Sequence, residues 1–566
     1  DERILREKIG DLLVGSGWKN KTACQVANWD PYDQNASSSF FDPEWMFGLT
    51  HGFDIVIGNP PYLRIQGIYS ASEELLNYYK LNFKSATGRF DLYCLFTEKG
   101  YQLAKTGGQV NFIMPFKWTN ASFGKGLRKY LSENQAVEKL ISFSDFQVFT
   151  ASTYSSLLWL SKTPKESFSY IELERDLNSD NELNFWLGNL KESAFSQIDL
   201  NQGSNVWQLI SNNLKAVFQK LDSHKTKIVD ITDGVYQGIV TGDNKVFVLS
   251  VKKTDANYFY CYSESLKEDF KIEKSILHPL VTGKEISRFC MKQCKKVILY
   301  PYHEHNEKTV LIGEEALKLN YPLAYDYLQK NYDRLSNRGS KNMKYPSWYA
   351  LWNPRKMDRL SAHNKILTPD VCYTPQMWLD ANFGYYHIDT SYAIITKINF
   401  ASLIFPLYAI LNSTLMWFYL KNTGAVLRGG FFRFKTSYLE SFPIPKPDVL
   451  ETQIETFKTS ILLIEFCNEL NNITVDMFYG ILNALVLNLY FPDHMKERNI
   501  DILQFAENDI AEVIQEKGFD ALNNSQKDLV IVELTKRWSD PNSEIVKRMN
   551  SFAEKSPEIL KPIMEG

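Results

Sequence analysis

Asn59-Pro60-Pro61-Tyr62 sets an amide, two rings that stiffen the backbone and a phenol within four consecutive residues. An Asn carboxamide oxygen and a neighbouring backbone carbonyl can each accept one hydrogen of an exocyclic amino group, drawing that nitrogen toward a more tetrahedral, nucleophilic geometry. Proline fixes φ and so holds those acceptors still, and an aromatic ring offers a stacking face for the heterocycle that carries the amine. A base paired inside a duplex must be extruded before such chemistry can begin. The same four residues also read as a strand-ending turn, since Asn and Pro are common turn residues. Both readings stand at this level.

The elements around the motif bear on the choice. Residues 53–58, FDIVIG, form a short apolar run rich in β-branched residues, which predicts a buried strand of the parallel type. Pro60 and Pro61 force a loop after it. Residues 90–105 set Leu92, Leu95, Phe96 and Leu103 at near-helical spacing, and Gly107-Gly108 ends that helix before a strand, QVNFIMP. A helix around GKGLRKYLSEN, a strand around KLISFSDF and a second apolar run, SSLLWLSK, continue the rhythm. The expectation is α/β, half of a doubly wound sheet, with the motif at the carboxyl edge where such folds bind ligands.

From about residue 225 the pattern changes to short strand-like pieces, long loops and many aromatics, which predicts a mixed α+β domain; after FPIPKP, residues 450–566 read as amphipathic helices such as DMFYGILNALVLNLY. The expected domains are 1–224, 225–447 and 448–566. Residues 225–446 carry 30 Lys and Arg against 20 Asp and Glu, although the whole chain is at −3. The middle is therefore the electrostatic candidate for phosphate contact. Within it Arg334, Arg338, Lys341, Lys344, Arg355, Lys356 and Arg359 sit among Trp348, Tyr349 and Trp352, and Arg428 and Arg433 flank Gly429-Gly430. These residues suit DNA contact; a solvated basic face and an ordinary turn are the plainer alternatives. Seven cysteines without a CxxC pair or a zinc-type cluster imply a reducing compartment, the cytoplasm, and no metal. No apolar run is long enough to span a bilayer.

FDIVIGNPPYLRIQG closely resembles the fourth motif of TaqI-type DNA adenine-N6 methyltransferases and of the Type IIG restriction-modification enzymes that contain the same module. The resemblance implies that Asn59 and the Pro60 carbonyl hold the target amino group, and that Tyr62 stacks on a flipped adenine. FDLYCLFTEKGYQLAKTGGQVNFIMP is similar to the family's next helix and strand, which implies cofactor-side roles for Phe96 and Pro61 beside S-adenosyl-L-methionine. ISFSDFQVFTASTYSSLLWL resembles the eighth motif and implies a second base contact from Phe149; a lone Phe beside an apolar strand is otherwise core. VYQGIVTGDNKVF, LVTGKEISRF and LYAILNSTLMWFYL resemble the TaqI-like target-recognition domain, so double-stranded DNA is the expected partner.

The family's glycine-rich cofactor loop precedes the catalytic motif. The one candidate here, Gly15-Ser16-Gly17, follows a helical stretch and reads as a turn. The chain is accordingly expected to be a portion of a longer enzyme, without the acidic cluster of a nuclease. The alternatives are a DNA-recognition module whose catalysis needs another segment, and a phage-defence methyltransferase without a nuclease.

Overall fold

The computed structural model describes residues 2–30, 43–64, 73–144, 146–149, 153–173, 177, 179–211, 214–339, 344–424, 426–427, 431–434, 436–470, 474–514 and 518–565. Cα packing divides the chain into two units, 1–211 and 212–566.

The first unit is built on a six-stranded mixed sheet: β1 (Phe53–Gly58), β2 (Ala104–Pro115), β3 (Val137–Ser142), β4 (Ser155–Ser161), β5 (Ser167–Glu172) and β6 (Ser196–Asp199), in the order β1-β2-β4-β3-β5-β6. β1 runs parallel to β2, with Gly58 beside Phe112, while β4 is antiparallel to both β2 and β3. The helix Leu92–Leu103 crosses from β1 to β2, as the apolar spacing predicts. It ends directly in β2, which begins at Ala104 and takes up Gly107 (φ 75°) and Gly108 within the strand. An added Cβ at Gly108 would meet the Phe53 carbonyl oxygen at 2.8 Å, so glycine is what lets the two strands approach there.

β1 has the parallel pairing that its sequence implies, but it is not buried: it lies at the sheet edge, with Ile55 61% and Ile57 80% exposed. β-Branched apolar residues specify a strand that can be covered on both faces, and among the described residues only β2 pairs with it.

The second unit holds a six-stranded and a four-stranded sheet, smaller ribbons and a helical region from Pro447 onward. A continuous core runs through its first part, from Ile239 and Phe247 to Tyr349 and Ile388. The helix Val475–Tyr490 departs from the amphipathic reading, because its residues Ile481 to Tyr490 are all buried. A helix apolar all round belongs inside a protein, and this one is tied to its surroundings by Tyr479 Oη donating to the Asn412 carbonyl at 2.7 Å and Tyr490 Oη to the Pro443 carbonyl at 2.9 Å. Among the described residues no single helix is long and apolar enough to cross a membrane.

Candidate active site and nucleic-acid interface

β1 delivers Asn59-Pro60-Pro61-Tyr62 to the carboxyl end of the parallel pair. Pro60 is buried and anchors the turn, Asn59 and Pro61 are exposed, and Tyr62 is half-buried. Tyr62 Oη donates to the Ile113 carbonyl of β2 at 3.2 Å, which fixes the ring across the strand ends. Burial lifts the phenol above its ordinary value against a hydrogen bond with Ser155, so it stays neutral at physiological pH. The Asn59 carboxamide has no hydrogen-bond partner among the described residues, and its acceptor and donors are uncommitted.

Tyr62 and Phe149, far apart in sequence, come together with ring centroids 6.2 Å apart at 70°. Phe149 arrives from the connection between β3 and β4, so the two rings form a corner at the end of β1. Tyr93, which the sequence reading did not single out, backs the same corner: its ring meets Tyr62 at 6.4 Å and 79°, and Phe123 at 6.3 Å and 86°. The Tyr93 hydroxyl is buried without a hydrogen-bond partner among the described residues, and burial raises its pKa far above the ordinary phenol value. Its position on the buried face of the helix, with Thr97 and Tyr101, was the available signal. Glu98 holds the preceding loop by accepting from the Lys84 and Ser85 amides at 3.0 and 2.7 Å.

Phe96 lies on the same helix but outside this aromatic group, 48% exposed. Gly15-Ser16-Gly17 closes the helix Glu2–Gly15 as a turn: the Gly17 amide donates to Val14 at 3.0 Å, the Trp18 amide donates to Leu13 at 3.1 Å, and Gly17 has φ 95°. A Cβ added at Gly15 or Gly17 would meet nothing within 4 Å. The turn therefore has the form of a helix C-cap.

In the second unit the predicted cations sort by what already holds them. Arg334 makes a two-pronged contact with Asp243, at 2.5 and 3.0 Å. Arg338 is half-buried and donates to the carbonyls of Leu335, Thr241, Trp348 and Ala350 at 2.8 to 3.1 Å. It is a clamp between loops, and its donors are largely spent. Arg355 donates to the Gly238 carbonyl at 3.0 Å and to Gln237 Oε1 at 3.2 Å. Arg433 pairs with Asp370 at 3.3 Å. Lys344 and Lys356 are exposed and make no ion pair among the described residues. Lys341, Arg428 and Gly429-Gly430 lie outside the described residues. Tyr349 is buried, while Trp352 is 42% exposed.

Arg355 and Lys356 are brought together, with Arg359, around a cavity of about 390 Å³. Its floor includes His387, which burial, with Lys365 and Arg355 nearby, pushes down to about 3, so the imidazole is neutral across the physiological range. The strand Lys365–Pro369 behind it carries a fully buried ion pair, Lys365 Nζ to Asp380 at 3.1 Å, completed by the Leu360 and Ala362 carbonyls at 2.9 and 2.7 Å. Among the described residues no three His, Cys, Asp or Glu side chains cluster as a metal site.

Comparison with known proteins accords with this division. Residues 9–149 match the Eco57I restriction-modification methylase family, and residues 278–444 match the TaqI-like C-terminal specificity domain. The Type II restriction enzyme and methyltransferase RM.Eco57I of Escherichia coli is 27% identical over 460 residues, 78% of this chain and 43% of its own length. The Type II methyltransferase M.BstVI of Geobacillus stearothermophilus is 24% identical over 417 residues, 70% of this chain and 68% of its own length. The solved structure of MmeI, a Type IIL restriction-modification enzyme in complex with DNA, aligns with a TM-score of 0.48 at 13% identity, over 88% of this chain and 57% of that one. In chain order, this protein carries an Eco57I-type restriction-modification methylase region and then a TaqI-like C-terminal specificity domain, and its relatives are Type II restriction-modification enzymes and methyltransferases.

Proposed function

We propose that this chain is the base-binding and DNA-recognition portion of a site-specific DNA methyltransferase that flips adenine out of the duplex and methylates its N6 amine. The observation that carries the reading is the aromatic corner of Tyr62 and Phe149 beside an uncommitted Asn59 at the end of β1. In this reading Asn59 Oδ1 and the Pro60 carbonyl accept the two amino hydrogens, and the tethered Tyr62 ring stacks on the base while Phe149 meets its edge. Stacking on an aromatic contributes about 1–3 kcal/mol per base, of the same order as the cost of unstacking it.

S-adenosyl-L-methionine, when bound, supplies the methyl group. Exposed Pro61 and Phe96 fit as faces against which such a molecule packs, whereas Gly15-Ser16-Gly17, a helix C-cap over open space, does not fit as its glycine loop. That misfit favours a second reading, in which the chain recognises DNA and extrudes the base while another segment completes the cofactor site. A cytoplasmic location goes with either reading, and all seven thiols are free.

Two measurements test the proposal. Calorimetric titration with S-adenosyl-L-methionine, with and without duplex, separates the two readings: binding by this chain supports the first and its absence the second. Affinity for a duplex holding a mispaired adenine, compared with the fully paired one, tests base extrusion, because an unpaired base is cheaper to flip. The mispaired duplex is expected to bind more tightly, with Y62A and F149A erasing the preference. Equal affinity of the unaltered chain for both duplexes would sink the base-binding role.

A further inference from the structure

The cavity in the second unit has a lopsided hydrogen-bonding inventory. Tyr236, Arg355, Lys356, Arg359, His387 and Thr436 contribute to its wall, which among the described residues contains three cations and no carboxylate. Carboxylates act on the wall from nearby without lining it: Asp233, Glu440 and Asp358 on Tyr236, Asp389 on Arg355 and Asp370 on Tyr392; one oxygen of Glu440 accepts from the Val235 amide at 3.3 Å and one of Asp358 from the Arg359 amide at 2.7 Å. Groups that could read a base edge are also occupied. Gln237 Oε1 accepts from Arg355 and its amide donates to the Asp389 carbonyl at 3.3 Å. The His387 Nδ1 lies 3.3 Å from Ser391 Oγ, and Thr436 donates to the Val235 carbonyl at 3.2 Å. What remains is mainly donors: Lys356, with no ion pair among the described residues, and Arg359, whose guanidinium lies 4.0 Å over the Tyr236 ring, beside the Tyr392 hydroxyl, which can donate or accept.

The backbone is bent to present them. Arg355 has φ 72°, a left-handed conformation that a non-glycine residue adopts only where its surroundings enforce it. The enforcement comes from Tyr300 Oη at the Pro354 and Arg355 carbonyls, 2.8 and 2.7 Å away, and from the Arg355 side chain on Gly238 and Gln237. Arg355 is thus a strut, and the turn it makes carries Lys356 and then Arg359 to the cavity wall.

We infer that this cavity receives one phosphodiester of the DNA backbone, held by Lys356 and Arg359 and braced by Arg355, so that it fixes register without reading sequence. A base edge asks for acceptors as well as donors, while a phosphate oxygen asks for donors alone. The inference rests on the reading that the chain binds DNA, and it adds which groups grip the backbone.

The test uses the full chain with K356Q, R359Q and the double variant, two unrelated duplexes, and affinity followed across a salt series. The expected result is an equal loss on both duplexes and a slope of log affinity against log salt that is shallower by about 0.9 for the one phosphate lost. K356R and R359K are expected to keep the slope, and coincident melting curves would place the loss in binding and not in folding. A loss on one duplex only, or an unchanged slope, overturns the inference in favour of base reading or of no contact. If inorganic phosphate raises the melting temperature of the unaltered chain but not of the double variant, while DNA affinity is the same in both, the pocket takes free phosphate and the DNA assignment is wrong. An unaltered chain that binds neither duplex overturns DNA binding itself. Normal binding with unchanged variants overturns the phosphate assignment alone.

Discussion

The loop after β1 and the cation-lined cavity of the second unit are built on opposite terms. Asn59 stands exposed, with no partner among the described residues. Arg355 is held by its own side chain, by a tyrosine beneath its carbonyl and by a strained backbone. On the proposed reading Asn59 grips the reacting amine, and a group with that task has to arrive unspent. A group that sets the position of others can be spent entirely on the protein, and polar residues in one chain therefore need not be available merely because they are polar.

Removing one polar group from each region contrasts them most sharply. K365M removes one partner of the fully buried pair with Asp380 and leaves a carboxylate held, among the described residues, by the amides of Phe383, Gly384 and Tyr385. The expected destabilisation of the second unit is about 3–5 kcal/mol, measured by denaturant unfolding. N59A, by contrast, is expected to leave the melting curve unchanged. On the proposed reading, an enzyme carrying this chain should lose roughly 100-fold or more of its methylation with N59A, as loss of one preorganised polar contact in a transition state does, read as N6-methyladenine formed on DNA. Unfolding by N59A, or undiminished methylation, would erase the contrast.

Smaller effects refine it. Burial, with Glu469 adding like charge, pushes Glu465 up to about 8 from 4.5. The folded state therefore binds the proton more tightly than the unfolded chain does. This contribution to stability is complete below pH 4.5 and is lost as pH rises toward 8, with a slope of up to roughly 1.4 kcal/mol per pH unit. E465Q should flatten that slope in unfolding measured at a series of pH values. Y62F loses the hydroxyl's bonds to Ile113 and Ser155 and should cost about 0.5–1.5 kcal/mol while retaining the preference for a mispaired adenine. R334A breaks an exposed pair with Asp243 and should change stability by about 1 kcal/mol or less.

The α/β order of the first unit was legible because local periodicity and glycine placement specify a strand, a loop and a helix without reference to distant residues. So was the Asn59 to Tyr62 motif, four contiguous residues whose chemistry is intelligible in isolation. The meeting of Tyr62 with Phe149 was accessible only through family resemblance, since nothing local ties residue 62 to residue 149. The commitment of Arg338 was invisible for a related reason: Thr241 and Ala350 supply carbonyls whose position depends on the folded chain. The exposure of β1 was misjudged because apolarity tells that a strand can be covered and not what covers it.

That edge position has a consequence for heat. β1 is supported through a single ladder, with β2, among the described residues, and its last pair, Gly58 with Phe112, adjoins Asn59. Strands bonded on one side open locally at lower free energy than the core does, and their amides exchange sooner. Warming should therefore release the Asn59–Tyr62 loop from its register while the buried helix Val475–Tyr490 remains intact. The proposed preference for a mispaired adenine should fade before any spectroscopic melt begins, and protein that has lost it in this way should regain it on cooling.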